Sequence, residues 1–180
     1  SNANYHFKPE DVTVAELLKT AGYRTGGVGK WAMGGVGTGG FPLKNGFDFW
    51  MGYLDQGQAH NYYPSHLWLN ENKFPLAGNV ISKHPGSRGR VASEKVTWSH
   101  PVMTEQALSF VRGCKDQPFL LHVHWTIPHA NNEGGRVYGD GMEVPDYGPY
   151  EKRDWKNTSK GQAAMVTWMD RDVGRLLDLL

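Results

Sequence analysis

The sequence predicts an α/β protein with a mainly parallel sheet, and three observations lead to this prediction. Thr13 followed by Glu16 forms a capping-box pattern that opens a short helix, and residues 23–29 then have the composition of a strand. Residues 119–125 form a second apolar strand after a stretch with helical periodicity. Residues 158–180 again have the pattern of a helix. Strands that alternate with helices favour a parallel sheet.

The other elements follow from local pattern. Residues 33–40 are a glycine-rich loop, and residues 66–76 predict a small hairpin that turns at Glu71-Asn72. Residues 77–100 predict an irregular excursion, and residues 130–157 a long loop, a length that usually indicates function or disorder. The middle helix has its apolar face at Met103, Ala107, Leu108 and Val111. The last helix has an apolar stripe at Met165, Met169, Val173, Leu176 and Leu180.

Composition narrows the class of protein. The chain has 180 residues, 39% of them hydrophobic and 12% aromatic, which is enough to bury a core. The formal net charge is +1, and the basic residues are scattered, which argues against a nucleic-acid or membrane-surface protein. Cys114 is the single cysteine, so no internal disulfide can form. Ser1-Asn2-Ala3 resembles the remnant of an expression tag, and residues 4–180 are then the natural part.

Two strand ends carry polar side chains, at Gly29-Lys30 and at Pro128-His129. Ligands of open parallel sheets bind beyond the carboxyl ends of the strands. Lys30 follows a run of glycines that lets backbone approach a ligand, so its ammonium could hold an oxyanion. On spacing alone, a surface lysine remains the other interpretation.

Several other motifs lead to weaker hypotheses. Residues 35–40 fit G-x-G-x-x-G but do not join a strand to a helix, so a chance match is favoured. Gly29-Lys30 resembles the end of a Walker loop, but Trp31 occupies the Ser/Thr position. Cys114 has no nucleophile motif around it.

A zinc site is a further alternative. His122 and His124 are two residues apart on one strand, which puts both rings on one face. His129 or His60 would supply a third ligand. The competing interpretation is that these are strand histidines hydrogen-bonded in a polar interior.

Taken together, the motifs resemble those of the sulfatase family. Residues 22–31 read G-Y-R-T-G-G-V-G-K-W, similar to the sulfatase segment in which G-Y-x-T leads into G-K-W. Residues 45–53 resemble its G-F-D-x-F-x-G-Y stretch, and residues 126–133, T-I-P-H-A-N-N-E, resemble its second active-site histidine loop. Residues 59–64 resemble the bacterial arylsulfatase-like branch. Residues 169–177 resemble the family's helix that precedes later metal ligands. These matches run in order along nearly the whole chain.

The resemblance implies an alkaline-phosphatase-like α/β core that hydrolyses sulfate esters. A formylglycine nucleophile and a calcium ion would be the family's cofactors. Lys30 and His129 would be the catalytic residues: the ammonium would bind sulfate, and the imidazole would donate toward the leaving oxygen. His60 and Asn131 would contact the substrate.

The sequence departs from the family pattern at three points. Ala32 stands where many members have the histidine of G-K-W-H, and no C/S-x-P/A-x-R motif is present. The family's metal-ligating Asp and Asn residues are expected outside residues 1–180. The chain is therefore predicted to be the central part of a sulfatase catalytic domain, incomplete at both ends and inactive alone. The alternative is a binding module that retains recognition of sulfate or sulfated glycans, and a related phosphatase or phosphodiesterase is a third option.

Partners follow from the same resemblance. The substrate would be a sulfate ester, and the aromatic residues of loop 130–157 are consistent with a sulfated sugar. Exposed sheet edges of an incomplete core predict self-association. Family members from bacteria are commonly exported, so a periplasmic or secreted location is expected.

Overall fold

A computed structural model describes residues 7–8 and 10–180. The predicted tag remnant at residues 1–3 lies outside the described residues. The helices are α1 (Val14–Thr20), α2 (Ser99–Cys114), α3 (Asn132–Tyr138) and α4 (Asn157–Leu177). The strands are β1 (Arg24–Lys30), β2 (Phe49–Tyr53), β3 (His66–Leu69), β4 (Asn72–Pro75), β5 (Val80–Ile81), β6 (Ala92–Glu94) and β7 (Phe119–His124).

The main sheet has five strands in the order β4-β3-β2-β1-β7. Strand β1 pairs in parallel with both β2 and β7, whereas β3 pairs antiparallel with β2 and with β4. The predicted α/β class, parallel central strands and hairpin are confirmed. The capping box of α1 is also present, because Thr13 Oγ1 accepts from the Glu16 N–H and the Glu16 carboxylate accepts from the Thr13 N–H.

Strand β2 was absent from the predicted element order. Trp50, Met51 and Tyr53 are all fully buried, so the strand has apolar side chains on both faces and lacks the alternation that indicates a strand. Gly52 allows the close approach to β1, because a Cβ there would lie 2.0 Å from the Gly29 carbonyl oxygen. Pairing with the neighbouring strands, rather than a local sequence pattern, therefore makes this segment a strand.

Three further predictions need correction. The predicted loop 130–157 contains the helix α3, and the excursion 77–100 contains the two-stranded sheet β5–β6. The predicted stripe on the last helix is partly wrong, because Val173 is 42% exposed and Leu180 is 80% exposed. Helix α4 instead buries a polar residue, Asp172, together with Ala164 and Met165. A polar residue on the buried face cannot be found by apolar periodicity.

The core lies on both faces of the main sheet. One cluster packs around Val28, Met51 and Tyr53 toward α2, through Met103 and Ala107. A second, aromatic cluster contains Trp31, Phe41, Phe47 and Trp50, and includes Ala15 of α1. Each fully buried large side chain contributes about 1.5–3 kcal/mol relative to an exposed one. This burial fixes the sheet whose carboxyl edge carries the polar residues.

Within the described part of the chain, no helix combines the length and hydropathy needed to cross a bilayer.

Candidate functional site

The two polar strand ends meet at one edge of the sheet. Strands β1 and β7 are adjacent and parallel, with Gly29 in register with His124. A cavity of about 270 Å³ lies directly beyond them. Its lining residues are Lys30, His124, Trp125, Thr126 and His129. The topology therefore brings together Lys30 and His129, which are far apart in sequence.

Lys30 is held by fixed neighbours on both sides. Gly29 has φ +105°, and a Cβ there would lie 2.0 Å from the His124 carbonyl oxygen, so only glycine permits this strand contact. On the other side Trp31 is buried, and its indole N–H donates to the Gly40 carbonyl at 2.6 Å. Lys30 itself is half-buried, and no ion pair within residues 7–8 and 10–180 involves it. Its backbone is therefore fixed while its ammonium remains available to an anion.

His129 lies on the turn that follows β7. The backbone N–H of His129 donates to the Thr126 carbonyl at 3.0 Å, and the Tyr62 hydroxyl donates to the His129 carbonyl. The ring Nδ1 is 2.6 Å from the Ala130 carbonyl oxygen, which can only accept, so Nδ1 carries the hydrogen. Nε2 of this exposed ring is then the atom that can accept a hydrogen bond, or donate one after protonation.

His60 lies against His129. The two imidazole rings are stacked, with centroids 5.3 Å apart and planes 16° from parallel. Nδ1 of His60 is 2.8 Å from Glu133 Oε2, and a carboxylate accepts, so this ring also presents Nε2. The structure thus places a predicted substrate contact beside a predicted catalytic residue, although 69 positions separate them in the chain.

Glu133 orients His60 from a buried position. The residue is only 3% exposed, and Arg90 Nη1 approaches its other oxygen, Oε1, at 3.3 Å. Burial opposes ionisation of this carboxyl group, but hydrogen bonds from His60, from its own backbone and from Arg90 hold its pKa below the ordinary value. Sequence reasoning had not assigned a role to Glu133 or Arg90. Glu133 lies inside the T-I-P-H-A-N-N-E segment, whereas Arg90 carries no local signal.

Asn131 has a different environment from the other three predicted residues. It is fully buried and caps α3, with its Oδ1 accepting from the Gly134 N–H at 3.0 Å. Its amide group donates to the Arg90 carbonyl at 3.0 Å and to Glu143 Oε2 at 2.8 Å. These bonds tie the start of α3 to the segment that carries Arg90. A substrate contact by Asn131 stays a prediction.

The cavity favours an anion. Its lining includes one ammonium and two imidazoles, and no carboxylate lines it within the described part of the chain. A fixed cation at a partly enclosed site stabilises negative charge more strongly than it would in bulk water. The arrangement can therefore bind a tetrahedral oxyanion and donate a proton from an imidazole toward it.

The described residues do not form a metal site. Across residues 7–8 and 10–180, no three His, Cys, Asp or Glu side chains group closely enough to hold a metal ion. His122 and His124 do lie side by side, with ring centroids 5.2 Å apart, but the described residues supply no third ligand. Burial and the neighbouring His124 lower the pKa of His122. Neither the zinc alternative nor a calcium ion finds a ligand set among the described residues.

Cys114 does not have the environment of a nucleophilic cysteine. It is buried at the end of α2, and its thiol donates to the Phe110 carbonyl. Burial raises the pKa of the thiol, although Arg24 works in the opposite direction. A protonated, buried thiol is a poor nucleophile.

Comparison with known proteins identifies the class. The family model described as Sulfatase matches residues 3–180. The uncharacterized sulfatase YdeN of Escherichia coli is 24% identical over 189 residues, covering 92% of this chain and 29% of that protein. An N-acetylglucosamine-6-O-sulfatase of Bacteroides thetaiotaomicron is 25% identical over 126 residues, covering 69% of this chain and 18% of that protein.

Solved structures show the same fold. The crystal structure of Ps i-CgsB superposes with a TM-score of 0.68 at 23% identity, covering 100% of this chain and 40% of that one. The PsFucS1 sulfatase from Pseudoalteromonas sp. superposes with a TM-score of 0.57 at 16% identity, covering 99% and 38%.

The chain belongs to the sulfatase family. The predicted alkaline-phosphatase-like α/β fold is confirmed with it. The chain spans less than a third of the length of these curated relatives.

Proposed function

We propose that this chain forms the sulfate-binding edge of a sulfuric ester hydrolase, with Lys30 and His129 as the groups that contact the reacting sulfate. The observation that carries the proposal is the meeting of these two side chains at the carboxyl ends of β1 and β7. Family membership supports sulfate as the anion. The proposed domain is the central part of a sulfatase catalytic domain, over residues 4–180.

Each residue has a distinct proposed task. The Lys30 ammonium binds the sulfate oxygens and stabilises the charge that grows on them. His129, with its hydrogen held on Nδ1, binds through Nε2 and delivers a proton from that atom to the leaving oxygen when protonated. His60 presents Nε2 beside it, and Glu133 fixes the orientation of that ring.

The chain by itself is proposed to bind without turnover. No C/S-x-P/A-x-R segment occurs in residues 1–180, and the described residues supply no metal site. The nucleophile and calcium ligands of the family would have to come from outside these residues. A Lys-His pair alone has no group that attacks sulfur.

The proposed substrate is a sulfated sugar. The relative from Bacteroides thetaiotaomicron is named an N-acetylglucosamine-6-O-sulfatase, which supports a sugar as the esterified alcohol. The segment after α3 carries an aromatic pair, half-buried Tyr150 and exposed Trp155, whose rings stack at 5.7 Å. Aromatic faces of this kind bind the apolar face of a sugar ring.

The test separates binding from turnover. Titration of the 180-residue chain with 4-nitrophenyl sulfate, followed by NMR, is expected to shift the resonances of Lys30 and His129 without releasing nitrophenol. Lys30→Ala is expected to weaken binding by about tenfold or more, the effect of losing a charge-assisted hydrogen bond. Lys83→Ala, a change of an exposed lysine outside the cavity, should leave binding unchanged. Metal-dependent release of nitrophenol by this chain would contradict the proposed lack of turnover.

A non-catalytic binding module is the second candidate, favoured by the missing motif in residues 1–180. The reading frame around this segment distinguishes the two. A C/S-x-P/A-x-R segment upstream in one continuous chain supports the hydrolase, whereas a start and a stop codon flanking the segment support the module.

Self-association is also proposed. Within the described residues β7 pairs only with β1, and all of its residues are partly exposed at the edge of the sheet. An open strand edge with apolar side chains favours pairing with a second chain. Light scattering is expected to give a mass above 20.1 kDa, and a monodisperse monomer would contradict this.

A further inference from the structure

A larger cleft lies beside the Lys30 cavity and has no role in the function proposed so far. Its volume is about 420 Å³, within the range of small-molecule sites. Residues from three places line it: the loop after β1, the loop after β2, and the β3–β4 hairpin. We call it the hairpin cleft, lined by Ala32, Gly34, Gly35, Val36, Thr38, Leu54, Asp55, Gln56, Gln58, His66, Trp68 and Lys73.

The hairpin places three functional side chains on one face. Trp68 of β3 is directly opposite Lys73 of β4, and His66 lies two positions before Trp68. Side chains two apart in a strand share a face, and the intervening Leu67 is fully buried in the core. The sheet register therefore creates this group, because no helix or turn motif brings these residue types together.

The geometry of the group suits a sugar that carries an acidic substituent. Lys73 Nζ lies 5.8 Å from the centroid of the Trp68 ring, and the His66 ring lies 5.6 Å from it, edge to face. No ion pair in the described ranges, 7–8 and 10–180, engages Lys73. An aromatic face beside a free ammonium binds the apolar face of a pyranose together with a sulfate or carboxylate on it.

The opposite wall supplies groups for sugar hydroxyls. Asp55 and Gln58 follow β2, and Asp55 Oδ1 accepts from the Gln58 N–H at 2.8 Å. Gln58 in turn donates through Nε2 to the His66 carbonyl at 3.1 Å, which fastens this loop to the hairpin. Burial and the nearby Lys73 lower the pKa of His66, so its ring is neutral at neutral pH and can exchange hydrogen bonds with hydroxyl groups.

The cleft and the Lys30 cavity are neighbours along the chain. Ala32 lines the cleft and comes two residues after Lys30, and two residues of extended chain span at most about 7 Å. Both openings lie at the carboxyl ends of the parallel strands, one beyond β1 and β7 and the other beyond β1 and β2. A ligand longer than one sugar unit would reach from one to the other.

We propose that the hairpin cleft is a second binding subsite, for an anionic sugar unit linked to the sulfated unit held at Lys30. The proposal rests on the function proposed above and narrows its substrate class from a sulfated sugar to an anionic oligosaccharide. Trp68 stacks on the sugar ring, Lys73 binds its sulfate or carboxylate, and Asp55 accepts from its hydroxyls.

Fluorescence polarisation with a labelled heparin-derived tetrasaccharide tests this on the 180-residue chain, with the desulfated tetrasaccharide as the matched probe. Lys73→Gln is expected to weaken binding of the sulfated probe by about tenfold, as for loss of a charge-assisted hydrogen bond. Trp68→Ala is expected to weaken it by a similar factor. Because Trp68 also packs against the aromatic core, circular dichroism checks that this variant folds, and exposed Lys73 gives a result independent of folding.

Two controls define the outcome. Lys83→Gln removes an exposed charge outside both sites and should leave binding unchanged, whereas an equal loss would indicate unspecific attraction and overturn the subsite. Glucosamine 6-sulfate, a single unit, should bind equally well to the chain and to Lys73→Gln.

The failures of the two proposals are distinguishable. If Lys73→Gln binds the tetrasaccharide normally while Lys30→Ala does not, the subsite is overturned and the proposed function stands. If Lys30→Ala binds normally and Lys73→Gln does not, the cleft is a glycan site and the proposed function fails. The desulfated probe keeps its carboxylates, so equal binding of that probe would overturn recognition of a sulfate group.

Discussion

Two histidine–carboxylate pairs in this molecule have the same chemistry and opposite surroundings. His60 Nδ1 is 2.8 Å from Glu133, and the His60 side chain retains 13% exposure beside a second imidazole. His100 Nε2 is 2.9 Å from Asp172, and both side chains are at most 1% exposed. The first pair presents a ring nitrogen beside His129, whereas the second is enclosed in the core.

The enclosed pair joins two helices. His100 of α2 lies among Trp98, Trp125 and Trp168, with ring centroids 5.0 to 6.3 Å away, and Asp172 belongs to α4. Arg171 and Arg175 both bind the second oxygen of Asp172. In both pairs one ring nitrogen of the histidine is bound to a carboxylate. The pairs differ in the other ring nitrogen, which is accessible in His60 and enclosed in His100. This difference makes His60 available for chemistry, whereas His100 stabilises the fold.

Loss of the enclosed carboxylate should have the largest effect. Asp172→Ala leaves His100 Nε2 with only the Thr104 hydroxyl, 3.5 Å away, and breaking a buried pair in this way costs about 3–5 kcal/mol of unfolding free energy. Urea denaturation followed by tryptophan fluorescence measures this. Glu105→Ala is the matched control, because this exposed carboxylate also binds Arg175 and should cost less than about 1 kcal/mol. Equal losses in the two variants would remove the distinction between the pairs.

Acid should act on the enclosed pair next. Burial opposes ionisation of Asp172, but hydrogen bonds from His100, Arg171 and Arg175 lower its pKa to about 2. A depressed carboxyl pKa contributes stability that is present above the unfolded value of 3.8 and is lost as pH falls toward 2. Burial also lowers the pKa of His100 despite Asp172, so its contribution begins to be lost as pH falls below 6.5.

The expected profile is therefore stability that declines on acidification in two steps. The Asp172 step is worth about 2 kcal/mol, from a shift of nearly two pH units. Denaturation midpoints measured between pH 8 and pH 2 test it. A profile unchanged by His100→Gln between pH 7 and pH 5 would show that His100 does not contribute the first step.

The His60–Glu133 pair should give the smallest effect on stability, together with an effect on function. Glu133→Gln keeps an acceptor for the His60 N–H but removes the charge facing Arg90, so we expect a stability loss of about 1 kcal/mol. Sulfate binding should weaken by roughly tenfold, because a neutral amide oxygen accepts from His60 more weakly than a carboxylate and holds the ring less firmly. Calorimetric titration with sulfate measures this, and Glu105→Gln serves as a carboxylate control remote from the cavity. Unchanged affinity in Glu133→Gln would place His60 outside the sulfate site.

Sequence pattern was sufficient for much of the fold. The α1 capping box, the hairpin, strand β7 and the parallel character of the sheet all depend on local signals. Strand β2 and helix α3 were not predicted from the sequence. Strand β2 is buried on both faces, and α3 is a seven-residue helix inside a polar segment. Neither shows the periodicity that a half-buried element has.

By itself, the sequence determined the family and indicated Lys30 and His129, because the glycine-strand-lysine and histidine-loop motifs are local in the chain. Only the tertiary structure decided which residues accompany them. Parallel pairing of β1 with β7 brings Lys30 to His129, and packing of α3 brings Glu133 to His60. These contacts join residues far apart in sequence. The register of β3 with β4 likewise places Lys73 opposite Trp68, and cross-strand register depends on which face of the sheet is buried.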